Sequence, residues 1–240
     1  MKIKLFLLFF IFLNSPIIAK KISIIIPCAY RHAQHLKELL QAYEQQTLLP
    51  DEIVISISNA NRVTNYIEIV AKNKWKFPVK ILTTNNMLRA GPNRNIACSH
   101  ATGELFICQD ADDIPHPQRN EIIHYVFEKY DFDILHHGYD ARASWKIIKN
   151  MDEVPVYHVE TAIETYKYRY ALGIPALSPK LFKQLKWNDE GIGEDRDFMI
   201  KAYELTKKTI IVDMPIYQYR ENLSATKLEL FVPIVINCDF

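Results

Sequence analysis

The sequence predicts an α/β fold with a mainly parallel central sheet flanked by helices. Three observations predict it. Ile22-Ser23-Ile24-Ile25-Ile26-Pro27 is a nearly unbroken β-branched apolar run, the pattern of a parallel strand covered on both faces. Strand-like and helix-like segments then alternate along the first half of the chain, the rhythm of a doubly wound sheet. The apolar run Leu105 to Cys108 opens into Asp110-Ala111-Asp112-Asp113 and then Ile114-Pro115-His116-Pro117. That places acids just beyond the carboxyl end of a strand, where open α/β sheets bind their ligands.

Each element has its own signal. Leu36, Leu39, Leu40 and Tyr43 recur at helical spacing and predict a helix from about Ala33 to Gln46. Pro50-Asp51 turns the chain into a strand over Glu52–Ile57. A helix near Thr64–Lys74 and a strand at Val79–Thr83 follow. Gly91-Pro92 opens a helix over about Asn93–His100, proline being well suited to a first turn. Gly103 ends it, and the strand before the acids begins at Glu104. After Asp113 the rhythm loosens. A helix near Gln118–Tyr130, a strand at Asp133–His137, a helix over about Asp195–Thr206 and a short strand at Thr209–Val212 are expected. Ala141–Lys167 is polar and aromatic without clear period.

Composition narrows the class. The 240 residues suffice for one large α/β domain, and 49% are hydrophobic, enough for a sizeable core. A net charge of +1, from 29 basic and 28 acidic residues, gives no basic patch for nucleic acid. Cys28, Cys98, Cys108 and Cys238 show no CxxC spacing, which argues against zinc and for buried free thiols, although Cys28 and Cys108 both fall near strand ends. His136-His137 reads as a structural pair at a strand end.

The N-terminus stands apart. Lys2 and Lys4 precede the apolar run Leu5 to Leu13, and Ala19 offers a small residue for cleavage. This fits a secretory signal; read through Ala19, it also fits an uncleaved signal anchor. Residues 1–19 are therefore expected to be a signal peptide or anchor. Residues 20–240 are expected to form one domain facing the secretory pathway, periplasm or exterior, with membrane association through the anchor as the alternative.

Three carboxylates packed as closely as Asp110, Asp112 and Asp113 repel one another, and hard oxygen donors suit Mg²⁺ or Mn²⁺. A solvated acidic turn is the plain alternative. Glu194-Asp195, bracketed by Gly191 and Gly193, is a second acidic site, and Asp195 there suits a helix N-cap as well as chemistry. Arg94 is either an exposed helix arginine or a guanidinium fork for phosphate or base.

In order, Ile24-Ile25-Ile26-Pro27, Ala90-Gly91-Pro92-Asn93-Arg94-Asn95, Asp110-Ala111-Asp112-Asp113 and Gly193-Glu194-Asp195 resemble the family 2 glycosyltransferases of GT-A fold. The resemblance runs from about Ile22 to Ser224. It implies a Rossmann-like sheet, with a nucleotide-sugar-binding half over about 22–115 and an acceptor half over about 116–240. It implies inverting transfer of a sugar from a nucleotide-diphosphate sugar to a glycan, lipid-linked or protein acceptor, assisted by Mn²⁺ or Mg²⁺. Asp112 looks like the direct metal ligand of a DxD motif, with Asp110 on the metal's shell or the ribose and Asp113 a weaker candidate. Pro27, Ala29, Tyr30, Ser58, Arg94, Ala111 and Arg220 would line the donor site. Asp195 would be the general base, with Glu194 orienting the acceptor or the loop.

Two departures matter. Family members often carry an acid at the end of strand two, where this chain has Ile57-Ser58-Asn59-Ala60. They often carry a histidine near the position of Asn222. The missing strand-two acid leaves the nucleobase open. It also keeps a second reading alive, an inactive GT-A-like module that binds glycan or protein. A sugar nucleotidyltransferase would show a glycine-rich phosphate loop after the first strand, which Cys28-Ala29-Tyr30-Arg31-His32 is not.

Overall fold

β1 spans Ile22–Ala29, and its three central isoleucines are fully buried. Successive side chains leave a strand on opposite faces, so that run needs cover on both. Ile24 and Ile26 pack with Leu36, Leu39, Leu40 and Tyr43, whereas Ile25 packs with Ala97, Cys98 and Phe198. Burying each isoleucine contributes about 1.5–3 kcal/mol. A computed structural model of the chain describes residues 20–142, 144–159, 170, 172–189 and 193–220. The expected leader at 1–19, Gly191, Cys238 and Asn222 with its neighbours from 221 onward lie outside the described residues.

After β1 a 3₁₀ turn, Tyr30–His35, leads into α1, Leu36–Glu44. The helix therefore starts later than its apolar period predicts. β2 is Glu52–Ser58, α2 Thr64–Lys72, β3 Val79–Thr84, α3 Ala90–Ser99 and β4 Leu105–Cys108. Next come β5 at Ile114–Pro115, α4 at Arg119–Lys129, β6 at Ile134–Asp140, β7 at Val156–Val159 and β8 at Ala176–Leu177. α5 at Pro179–Gln184, α6 at Glu194–Leu205 and β9 at Thr209–Gln218 complete the described chain.

Among the described residues these strands form one sheet of order β3-β2-β1-β4-β8-β6-β9-β5, with β7 also on β9. β1 pairs in parallel with both β2 and β4. The winding therefore reverses between β1 and β4, and that crevice is where a doubly wound sheet places its ligand. β8 enters antiparallel between β4 and β6, and β6 pairs in parallel with β9.

β9 is far longer than the expected Thr209–Val212. Asp213-Met214-Pro215 breaks the apolar pattern, and the sheet absorbs it as a register shift against His137 and Gly138. Proline inside a sheet is found at such irregularities. Gly138 is required there, since a Cβ would lie 2.9 Å from the Met214 carbonyl oxygen. Beyond the shift, Tyr217 and Gln218 pair with β5 and bring the strand beside the acids.

Candidate active site

A cleft of about 730 Å³ opens past the carboxyl ends of β1, β2 and β4. It is lined by Pro27, Ala29, Tyr30, Ser58, Arg94, Asp110, Ala111, Asp112, Glu194 and Asp195. Both acidic stretches therefore face one space. Arg220 borders it differently. Its Nε donates to the Asp112 carbonyl, its Nη1 to Glu38 Oε2 at 2.8 Å, and its backbone N–H to Asp113 Oδ1 at 2.7 Å.

Arg94 joins the two acidic sites. It is 1% exposed, which removes the exposed-helix reading. Nη1 donates to Asp195 Oδ1 at 2.7 Å and Nη2 to Asp110 Oδ1 at 3.1 Å. Burial opposes the charge, but Asp195 and Asp110 outweigh it and hold the guanidinium above its ordinary value. Its neighbours fix its helix. Asn93 donates to the Cys28 carbonyl at 3.2 Å and accepts from Ser56 Oγ at 2.8 Å. Asn95 donates to the Trp187 carbonyl at 2.7 Å and accepts from Trp187 N–H at 3.1 Å. Gly91 lets the first turn pack there, because a Cβ would lie 2.6 Å from the Asn188 carbonyl oxygen.

The acidic loop is held from β9. Tyr217 OH donates to Asp113 Oδ2 at 2.8 Å and accepts from Asp110 N–H at 3.2 Å. Beneath it the wholly buried Arg119 donates to the Cys108 carbonyl at 2.8 Å and to His137 Nε2. Burial, with Arg119 beside it, holds His137 well below its ordinary value and so neutral. His137 is thus a structural acceptor. Asp113, with both oxygens engaged, fastens the loop to β9.

Burial pushes Asp110 and Asp112 up to about 6, and burial with Asp110 nearby pushes Asp113 up to about 8. Burial disfavours the charged carboxylates, and a bound cation would restore them. Among the described residues no group of three His, Cys, Asp or Glu side chains forms a complete cation cage. Mg²⁺ in nucleotide sites takes one or two carboxylates and completes its shell with water and phosphate oxygens. Asp112 and Asp110 fit that donor set.

Asp195 is not the helix cap. Gly193 is, at φ 103° in the left-handed region that favours glycine, and Asp195 follows as the second residue of α6. Its Oδ2 has no hydrogen-bond partner among the described residues, and Gly173 leaves room for it. Burial and Asp195 raise Glu194 above its ordinary value.

Sequence patterns miss several cleft residues. His32, Gly173, Tyr139, Tyr170 and Tyr219 line it too. The one available signal was the alternation of Tyr217 and Tyr219, masked by Pro215. Cys28, Cys98 and Cys108 are buried free thiols, as their spacing predicts.

Fold and site together define a GT-A glycosyltransferase architecture. The glycosyl transferase family 2 profile matches residues 23–171, and the chain belongs to that family. No curated protein matches it. Among solved structures, S. aureus TarS 1–349 with UDP superposes at TM-score 0.68 and 20% identity, over 83% of this chain and 60% of that one. Glucosyl-3-phosphoglycerate synthase from Mycobacterium tuberculosis, with Mn²⁺, UDP and glucosyl-3-phosphoglycerate, does so at 0.60 and 14%, over 88% and 75%. Mannosyltransferase PcManGT from Pyrobaculum calidifontis, with GDP-Man and Mn²⁺, gives 0.53 and 14%, over 83% and 59%. The chain thus spans about 60% of the TarS structure it matches.

Proposed function

We propose that this chain transfers a sugar, with inversion, from a nucleotide-diphosphate sugar to an acceptor hydroxyl, using Mn²⁺ or Mg²⁺. The observation that carries this reading is one cleft holding two acidic sites joined through Arg94. Asp112 and Asp110 are the cation's carboxylates. When bound, the cation supplies a Lewis acid for the charge that develops on the departing diphosphate. Pro27, Ala29, Tyr30, Ala111 and Ser58 wall the nucleotide, with Ser58 a hydroxyl where relatives of this fold often carry an acid. Arg220 steadies the Asp112 backbone at the diphosphate side.

Asp195 accepts the acceptor's proton through Oδ2 while Arg94 holds Oδ1. The acceptor oxygen bonds to the anomeric carbon as the bond from that carbon to the diphosphate oxygen breaks, and the electron pair leaves with the diphosphate. One base and direct displacement give inversion. Glu194 orients the acceptor. The nucleotides in the TarS, PcManGT and synthase complexes, UDP and GDP-Man, support this donor class.

We also read the N-terminal basic and apolar pattern as secretory targeting. Among the described residues no helix is long and apolar enough to cross a membrane. Cytosolic protein with Met1 to Ala19 intact after expression would count against that targeting. The test of function is release of nucleoside diphosphate from a panel of UDP- and GDP-sugars with Mn²⁺, with and without glycan acceptors. Absence of release across the panel, from folded protein, rejects the enzymatic reading.

A further inference from the structure

His32 sits on the 3₁₀ turn after β1 and lines the cleft beside Asp112. Its Nδ1 lies 3.6 Å from Asp112 Oδ1, too far for a hydrogen bond. Its Nε2 is buried without a hydrogen-bond partner among the described residues. Neighbouring ligands of one octahedral cation, at bond lengths of about 2.1 Å, stand about 3 Å apart. A shift of about half an ångström in either side chain brings Nδ1 and Oδ1 to that spacing.

We propose that His32 is a nitrogen ligand of the cation that Asp112 holds, and that it biases the site toward Mn²⁺ over Mg²⁺. Imidazole favours transition ions, whereas Mg²⁺ favours an all-oxygen shell. Asp112 and His32, with Asp110 on the cation's water shell, would then hold the cation together with phosphate oxygens of the donor. This explains how the site can hold a cation although the described residues form no complete cage without donor. The inference rests on the cation reading above.

The test is pulsed electron paramagnetic resonance of the full chain with Mn²⁺ and UDP, and then with GDP. Native protein should show modulation from a directly bound imidazole nitrogen, and His32→Gln should lose it. Mn²⁺ affinity should fall at least about tenfold in the variant, and Mg²⁺ affinity far less. A thermal unfolding curve for His32→Gln, with His32→Asn as a second variant, separates ligand loss from misfolding. A Mn²⁺ complex with no nitrogen signal overturns the role of His32 while leaving the cation reading intact. A signal that survives in folded His32→Gln also overturns it. If neither nucleotide recruits Mn²⁺, the cation reading itself fails, and this inference with it.

Discussion

Arg94 Nη1 stands 2.7 Å from Asp195 Oδ1 while its Nη2 stands 3.1 Å from Asp110 Oδ1, so one side chain spans the donor acids and the base. A planar fork can hold two carboxylates at fixed angles; an ammonium cannot. Arg94→Met should leave both acids facing each other without a cation. Breaking a fully buried pair costs about 3–5 kcal/mol. Asp110 and Asp195 keep 33% and 28% of their side chains open to the cleft, so solvent reduces the cost here. The expected loss is about 2–3 kcal/mol by urea unfolding. Donor binding and turnover should fall together. Arg94→Lys should recover part of the stability but little of the turnover. A Met variant as stable as the parent would show that the pairs contribute nothing net.

Asp112 and Asp195 should separate the two tasks that Arg94 couples. Asp112→Asn removes a charged cation ligand, so calorimetry should show sharply weaker binding of UDP or GDP in Mn²⁺. Asp195→Asn still accepts from Arg94 and should keep donor affinity near that of the parent. It should lose about 10²–10⁴-fold in turnover, the usual worth of general-base assistance. A folded Asp195→Asn that loses donor binding instead would move Asp195 into the nucleotide site.

The response to pH follows from the raised carboxyls. Asp110 and Asp112 near 6 bind protons in the range where a cation needs them charged. Their folded values exceed the unfolded ones. In cation-free protein their contribution to stability is therefore present at low pH and lost as pH rises through about 6, and for Asp113 through about 8. Cation binding has the opposite sense. The rise in unfolding temperature produced by Mn²⁺ with UDP should be small at pH 5 and grow toward pH 8. A flat profile would mean that these acids do not hold the cation.

The sheet was legible because β1 and β4 are apolar on both faces and β2 carries Ile53, Ile55 and Ile57 along one. The acids were legible because the strand before them ends where the sheet's winding reverses. Arg94 and Asp195 were each singled out, but their pairing was not, since it depends on how α6 returns to the cleft. Three strands, β5, β7 and β8, escaped notice because two are only two residues long and the third is half polar. Tyr217 escaped for a related reason: Pro215 reads as a strand end until β6 supplies the irregularity that carries it.

Gly173 gives the sharpest test of Asp195. A Cβ there would lie 2.7 Å from Asp195 Oδ2, 3.3 Å from its Cγ and 3.6 Å from Arg94 Nη2. The nearest atoms belong to the end of a side chain, so the carboxylate can turn away. Among the described glycines only Gly193 has a positive φ, so alanine meets no left-handed backbone strain at Gly173. Gly173→Ala should therefore cost no more than about 1 kcal/mol in stability, as a small local overpacking. Gly91→Ala should cost more, because its Cβ would meet the Asn188 backbone oxygen at 2.6 Å and Trp187 Cβ at 2.9 Å. The Gly173 variant should bind donor like the parent, since Asp112 is untouched. Its turnover should fall by about 10²-fold, the cost of displacing a reacting group by about an ångström. Paired unfolding and rate measurements on the two alanine variants decide the point. If Gly173→Ala turns over like the parent while keeping its fold, Asp195 Oδ2 is not where the proton goes.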